Sequence, residues 1–187
     1  MIFNVAALLK EKSGAVRRHR LEGERLQSEE HGSFEDISGP VTLMRTDRTV
    51  SVSASLEASA TRACSRCLES ARVELQAYIE EEFHPVNKDL GGVRRDSSRD
   101  DDPLDPVLLI DDRNNLDLTE VAQQSLAGVT PIAPLCRPDC RGLCPVCSKN
   151  RNKTPCNCQQ QASGPRWEGL ADWGQLRQTA RMDRAVQ

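Results

Sequence analysis

Aromatic residues are scarce in this chain of 187 residues, which contains two tryptophans, one tyrosine and three phenylalanines. Hydrophobic residues make up 37% of the sequence. No stretch approaches the roughly 20 consecutive apolar residues that a membrane-spanning helix needs. The length still allows one sizeable domain, or one domain with a small module. We therefore expect a modest hydrophobic core with polar extensions and no membrane contact.

Signals for secretion and for common enzyme classes are also missing. The first residues, MIFNVAALLKEK, lack the basic region and uninterrupted apolar run of a secretory signal, so we expect a cytoplasmic protein with reduced thiols. No GxGxxG, P-loop or GxSxG sequence occurs. The three histidines, His19, His31 and His84, are scattered and form no HExxH frame. These absences predict a protein that is not an enzyme.

Cysteine, by contrast, is abundant: the chain has eight, six of them within PLCRPDCRGLCPVCSKNRNKTPCNC at residues 134–158. A C-x2-C turn lets two thiolates converge on one ion, and two such pairs complete the four-sulfur site typical of structural zinc. The sequence therefore predicts at least one zinc ion. The spacings that support it are Cys64-x2-Cys67 and Cys136-x3-Cys140-x3-Cys144-x2-Cys147-x8-Cys156-x-Cys158.

The spacings leave open how the eight thiols divide. We favour two sites of four cysteines: an upstream tetrad, which would clip the sheet to the tail, and a downstream tetrad, built from CPVC and CNC. In another division, the CPVC pair joins the first C-x2-C pair and the remaining cysteines bind no metal. The upstream tetrad comprises Cys64, Cys67, Cys136 and Cys140, and the downstream tetrad comprises Cys144, Cys147, Cys156 and Cys158.

Other uses of the cysteines fit the sequence less well. Disulfides would require an oxidising compartment, and the spacings match neither ferredoxin pattern, although iron–sulfur ligation stays an alternative. A redox C-x2-C pair would open a helix in a βαβ unit, whereas Cys64 and Cys67 fall between predicted strands. Four thiolates leave no open position on a metal, so the predicted sites are structural. His84 is the best substitute ligand if a cysteine is free.

The apolar pattern predicts an α+β fold, with an antiparallel β-sheet, short helices and a C-terminal cysteine-rich zinc module. Alternation with period two marks antiparallel strands in VTLMRTDRTVSVSASLEASATRAC and in ARVELQAYIEEEF. NVAALLKEK and DLTEVAQQSLAGV read as short helices, capped by Asn4 and Asp117, and VLLID as a buried strand. We expect an α+β domain over residues 1–135, with a flexible acidic loop at about 88–106, and a zinc module with its tail over 136–187.

The net charge is −3, but its distribution is uneven. Residues 136–187 contain nine Lys or Arg against four acids, and residues 88–135 contain five against ten. The cations around the C-terminal cysteines either bind nucleic acid or only offset the negative charge of the thiolates. Few aromatic residues are present for base stacking. Trp167 and Trp173 are expected to pack the tail onto the domain. The candidate nucleic-acid contacts are Arg137, Arg141, Lys149, Arg151 and Lys153.

Four sequence stretches together resemble the YceD family, also called DUF177, over roughly residues 1–177. They are CSRCLE, LIDDRNNLDLTEVAQQSL, PLCRPDCRGLCPVC and GPRWEGLADW. The chain departs from the family pattern where Ser148 replaces a glycine and where KNRN stands in place of GxNLN. The resemblance implies a metal-binding protein needed for accumulation of large-subunit (23S) ribosomal RNA, and it favours the two-tetrad division.

These observations favour a zinc-stabilised accessory factor of large ribosomal subunit biogenesis, which binds rRNA or a pre-ribosomal particle. The alternative is a protein–protein adaptor, in which the acidic loop and a sheet edge bind a basic large-subunit ribosomal protein without RNA contact. Loss of RNA binding on substitution of Arg141, Lys149 and Arg151 would favour the first hypothesis. RNA-independent binding through residues 96–105 would favour the second.

Overall fold

The computed structural model describes residues 1–86 and 105–158. The chain divides into two compact units, Met1–Pro138 and Asp139–Gln187. The predicted acidic loop lies almost entirely outside the described residues, and so does the tail with its two tryptophans. Neither α-helix in the described ranges has the length and hydrophobicity needed to cross a bilayer.

The first unit contains all the named helices and strands of the described residues. In chain order they are β1 (Ile2–Asn4), α1 (Ala6–Leu9), β2 (Val16–Ser28), β3 (Gly32–Arg45), β4 (Val50–Ala63), β5 (Ser70–Pro85), a 3-10 helix (Pro106–Leu108), β6 (Leu109–Ile110), β7 (Asn115–Asp117) and α2 (Thr119–Val129).

A curled sheet with strand order β2-β3-β4-β5-β6 forms the body of this unit, and β1 pairs separately with β7. The contacts from β2 to β5 are antiparallel, and within residues 1–86 and 105–158 only the short β6 runs parallel to its neighbour. The predicted α+β class, with a mostly antiparallel sheet and short helices, is therefore confirmed. β4 ends at Ala63 and β5 begins at Ser70, so the first C-x2-C pair lies in a hairpin turn, as predicted.

The hydrophobic core lies on one face of the sheet. Alternate residues of β3, β4 and β5 point into it, as the period-two pattern requires. Phe34 and Phe83 are fully buried there, so two of the three phenylalanines serve the core. Helix α2 packs against β5 and buries Val121 and Leu126, while the single turn α1 buries Leu8.

Three strands were not predicted from the sequence. β2 reads VRRHRLEGERLQS, in which only Leu21 and Leu26 are buried, so no apolar alternation marks it. β1 and β7 are three residues each, too short for periodicity to register. The expected strand VLLID is shorter than predicted and keeps only Leu109–Ile110 in β form.

The two predicted capping residues, Asn4 and Asp117, each lie two positions before the first helical residue and bond to its N–H. The Asn4 side-chain oxygen accepts a hydrogen bond from the Ala6 N–H at 3.2 Å, and that of Asp117 accepts one from the Thr119 N–H at 2.9 Å. Neither residue occupies the position directly before its helix, where Val5 and Leu118 stand instead. The sequence thus located both helix starts to within a residue or two.

Candidate metal centre

The first C-x2-C pair lies in a knuckle formed by residues 64–69, between β4 and β5. The Cys64 N–H donates to the Glu69 carbonyl at 2.7 Å, and the Leu68 N–H donates back to the Cys64 carbonyl at 2.9 Å. Leu68 has a φ of +62°, in the left-handed region. These bonds turn the chain sharply, so that the two cysteines project on the same side.

The second C-x2-C pair lies in a knuckle of the same construction, formed by residues 144–149. The Cys144 N–H donates to the Lys149 carbonyl at 2.9 Å, and the Ser148 N–H donates to the Cys144 carbonyl at 2.9 Å. Ser148 has a φ of +55°. The position at which the sequence departs from the family glycine is therefore one that requires left-handed backbone. The serine adopts it, and the knuckle closes.

Each knuckle contributes two cysteines to a group of four thiols. The sulfurs of the upstream tetrad all lie within 4.8 Å of one another, and the same holds for the downstream tetrad. This grouping matches the favoured division of the eight cysteines. The upstream tetrad is mostly buried, with only Cys136 exposed, whereas Cys147 and Cys158 of the downstream tetrad are both exposed.

The sulfur positions suit a tetrahedral metal ion. Four sulfurs held about 2.3 Å from zinc would lie about 3.8 Å apart. The Sγ atoms of Cys67 and Cys136 are 3.6 Å apart, and the 4.8 Å limit for the other pairs needs only small side-chain adjustments. Both tetrads could therefore hold a metal ion, with all four coordination positions filled by the protein.

Backbone N–H groups make one thiol of the upstream tetrad acidic. They lower the pKa of Cys64 to about 6, and the largest contribution comes from the N–H of Cys136, followed by those of Arg66 and Cys67. The knuckle thus directs N–H dipoles at the sulfur, as it would at a thiolate bound to a cation. One thiolate of this tetrad is available at neutral pH.

The downstream tetrad shows the same effect at the equivalent position. The N–H groups of Cys147 and Val146 lower the pKa of Cys144 to about 6. The pKa of Cys158 is raised to about 12, chiefly because its thiol hydrogen-bonds to Cys147. Protons that the thiols keep in the absence of a cation would be released when a cation binds.

Asn152 supports the upstream tetrad from outside. Its Nδ2 donates to the Cys140 sulfur at 3.2 Å, and its Oδ1 accepts from the Arg141 N–H at 2.8 Å. Asn150 in turn accepts a hydrogen bond from the Asn152 N–H at 2.9 Å, which fixes the turn. Sequence reasoning noted KNRN only as a departure from the family pattern and assigned no role to its two asparagines.

The histidines take no part in either tetrad. His84 lies in β5 and pairs with Leu109 of β6, and His19 packs its ring against Phe3 with centroids 5.0 Å apart. Among the described residues, the groups of potential metal ligands consist of cysteine alone. Each group already has four thiols, so neither tetrad needs His84 as a substitute ligand.

All five candidate nucleic-acid contacts are exposed. Four of them fall within the described part of the second unit, residues 139–158, where Asp139 is the only acidic residue. The backbone of this segment is ordered by its own bonds, including one from the Arg151 N–H to the Gly142 carbonyl at 2.9 Å. The knuckle therefore presents cations around a closed thiol site.

The fold combines an antiparallel sheet with two cysteine tetrads. It is that of a cysteine-rich α+β protein with candidate metal sites. The family profile described as "Large ribosomal RNA subunit accumulation protein YceD" matches residues 52–173, which include all eight cysteines. The match covers well over half of the chain. The chain belongs to the YceD family, and the resemblance inferred from the sequence is confirmed.

Similar proteins are known from mycobacteria. An uncharacterized protein of Mycobacterium bovis and one from each of two Mycobacterium tuberculosis strains are 29% identical to this chain over 110 residues. The alignment covers 58% of this chain and 48% of each relative, so the chain spans about half the length of the curated relatives it matches. No solved structure matches the chain.

Proposed function

We propose that the chain is a non-enzymatic, zinc-stabilised accessory factor of large ribosomal subunit biogenesis that acts in the cytoplasm by binding rRNA or a pre-ribosomal particle. The observation that carries the proposal is the exposed cation cluster around the downstream tetrad, in a chain that belongs to a family named for accumulation of large-subunit rRNA. Zinc, RNA contact and location are each part of the proposal.

Zinc is the metal that the two tetrads suit best. Four-cysteine sites with C-x2-C knuckles are typical of structural zinc, and four thiolates leave no position for water or substrate. Bound zinc would contribute folding free energy, roughly 10–16 kcal/mol of apparent binding for small zinc peptides near neutral pH. In residues 139–158 only Cys140, Gly142 and Cys144 are buried. A metal would therefore stabilise what apolar packing does not.

The cations exceed what the thiolates need. A zinc ion with four thiolates has a formal charge of −2, whereas residues 139–158 contain four Lys or Arg and one Asp. With a metal bound by the downstream tetrad, these four cations and one carboxylate leave the segment a net charge of +1. Exposed Lys and Arg on small zinc modules contact RNA phosphates, and release of counterions makes such binding salt-dependent.

The proposal predicts that Arg141→Gln, Lys149→Gln and Arg151→Gln together abolish most rRNA binding without loss of metal. Three phosphate contacts account for about 2 units of the slope of log affinity against log salt, since each contributes about 0.7 on a single strand. We would measure binding of fluorescently labelled large-subunit rRNA transcripts by anisotropy at several salt concentrations, and zinc content by mass spectrometry.

The matched control neutralises three exposed cations of the first unit, Lys10, Lys12 and Arg25, by the same Gln substitutions. It should leave the affinity and the salt slope nearly unchanged. If the unmodified chain fails to bind rRNA yet binds basic ribosomal proteins after nuclease treatment, the RNA proposal is wrong and the adaptor hypothesis replaces it.

A further inference from the structure

The solvent face of the sheet has an ordered arrangement of side chains that the core does not require. Cross-strand pairing places Arg18, Thr42, Ser53 and Glu80 in one row from β2 to β5. The next row pairs Arg20 with Pro40 on one side and Ser55 with Tyr78 on the other. Each row spans three strand spacings, about 14 Å.

A shallow depression of about 230 Å³ lies between these rows. Its floor consists of short side chains on the two central strands, and the longer arginines stand on the outer strand β2. Tyr78 and Glu80 line it on the β5 side, and the arginines of β2 lie outside its lining. Pro40, Thr42, Ser53 and Ser55 line it on the two central strands.

Arg20 and Tyr78, at the two ends of the second row, and Arg18, at the end of the first, are exposed to a ligand. Tyr78, the only tyrosine of the chain, has 78% of its surface exposed. Arg18 and Arg20 are exposed, and among the described residues no carboxylate lies within 4.0 Å of either guanidinium. An exposed aromatic ring on β5 and these two cations on β2, about 14 Å apart on one face, can together stack a base and bind phosphates of a single strand.

We propose that the solvent face of β2–β5 is a second RNA contact, at which Tyr78 stacks a base and Arg18 and Arg20 bind phosphates of single-stranded RNA. This inference rests on the proposed function, since it names a further surface for the same ligand class. The hydroxyls of Thr42, Ser53 and Ser55 along the floor can bond to base edges or to the 2′-OH.

The charges of the face determine where the phosphate backbone of the RNA would lie. Arg18 and Arg20 lie on β2, followed on the same strand by the exposed Glu22 and Glu24, whereas Glu80 and Glu82 lie on β5. A phosphate backbone is therefore held at Arg18 and Arg20 and repelled from the glutamates of both strands, and only the uncharged base reaches towards Tyr78. Charges on an edge strand also discourage association with other sheets, but a charge of either sign would do that.

The test compares three changes on the full chain with a labelled single-stranded fragment of large-subunit rRNA. Arg18→Gln with Arg20→Gln should reduce the salt slope by about 1.4, since each phosphate contact contributes about 0.7. Tyr78→Ala should weaken binding about tenfold, whereas Tyr78→Phe keeps the ring and should retain the affinity. Arg25→Gln, on the same strand but outside both rows, is the charge control. Circular dichroism and zinc content would verify that each variant is folded.

The outcomes separate this surface from the knuckle. If the unmodified chain binds no RNA, both proposals fail. Another outcome is that the triple variant of Arg141, Lys149 and Arg151 loses binding while Tyr78→Ala and the Arg18/Arg20 variant bind as the unmodified chain does. In that case the assignment of the sheet surface is wrong and the proposed function stands. Equal losses in Tyr78→Ala and Tyr78→Phe, or in the Arg25→Gln control, would also overturn the assignment. Loss of binding to a ribosomal protein instead of RNA would identify the face as a protein contact.

Discussion

Asn152 illustrates how a residue that binds no metal can determine the strength of a metal site. Its amide connects the Cys140 sulfur to the backbone of Arg141, with hydrogen bonds of 3.2 Å and 2.8 Å. Groups that orient ligands in this way typically change metal affinity by factors of roughly 10 to 100 when removed. The amide also offers the sulfur an N–H donor, which stabilises the thiolate form.

We therefore expect Asn152→Ala to lower the zinc affinity of the upstream tetrad by roughly 10–100-fold and to leave the downstream tetrad near its original affinity. Competition with a chromophoric chelator, followed as two successive releases of zinc, would measure both. Asn157→Ala is the matched control, because this exposed asparagine lies in the same segment and has no hydrogen bond among the described residues. Equal affinities in the two variants would contradict the assigned role.

The left-handed residues after each C-x2-C pair were only partly predictable. The sequence indicated that a glycine would suit position 148, and the φ of Ser148 is +55°. Nothing marked Leu68, which adopts a φ of +62° with 67% of its surface exposed. A leucine in this conformation costs roughly 1–2 kcal/mol relative to ordinary backbone. Hydrogen bonds between Cys64 and the residues Leu68 and Glu69 hold the leucine in this conformation. The conformational preference of leucine alone does not predict them.

At the level of elements, β3 and β4 approach so closely at Gly39 that no side chain fits. Gly39 has a φ of +147°, and a Cβ there would overlap the Ser55 carbonyl oxygen of β4. Because the obstacle is backbone in the middle of the sheet, it cannot move aside as a flexible side chain would.

Gly39→Ala should consequently lower the free energy of unfolding by roughly 3 kcal/mol. Gly23→Ala is the control: its φ is +74°, but nothing lies within 4 Å of the added Cβ. This control should cost only the backbone strain, about 1 kcal/mol. Urea denaturation of the metal-loaded chains would measure the difference. Similar losses in the two variants would show that backbone strain alone, without the steric overlap, accounts for the need for glycine.

The elements that sequence reasoning found share a feature that the missed ones lack. β3, β4, β5 and α2 bury a periodic set of apolar residues, and the period identifies the element. β2 is an edge strand in which Leu21 and Leu26 alone are buried, so its hydrogen bonds to β3 define it and its pattern does not. The surface proposed for RNA depends on β2 and could not have been assembled before its register was known.

For the molecule as a whole, cysteine spacing was more informative than hydrophobicity. The sequence identified all eight cysteines and favoured two groups of four, and the structure brings the sulfurs together in that grouping. Spacing alone did not decide the matter, because Cys64 and Cys136 are more than seventy positions apart. The contact between the two segments is seen only in the structure, in the hydrogen bond from the Ser65 N–H to the Pro134 carbonyl at 2.8 Å and in the 3.6 Å separation of the Cys67 and Cys136 sulfurs.

The two-tetrad arrangement predicts two zinc ions per chain, and Cys64→Ser and Cys156→Ser should each remove one of them. Removing one ligand leaves three thiolates and an open position, which weakens a structural site severely. We would measure zinc by mass spectrometry on chains purified without added metal, and free thiols before and after chelation.

The two variants should differ in their structural consequences. Cys64 belongs to the turn between the two longest-paired strands, so Cys64→Ser should lower the melting temperature of the sheet, whereas Cys156→Ser should leave the sheet intact. Far-ultraviolet circular dichroism, followed on heating, would report on the sheet in both variants. One zinc in the unmodified chain, retained in one variant, would show that a single tetrad is a metal site. Thiols blocked as disulfides would rule out both sites, and with them the zinc-stabilised surface on which RNA binding at the knuckle depends.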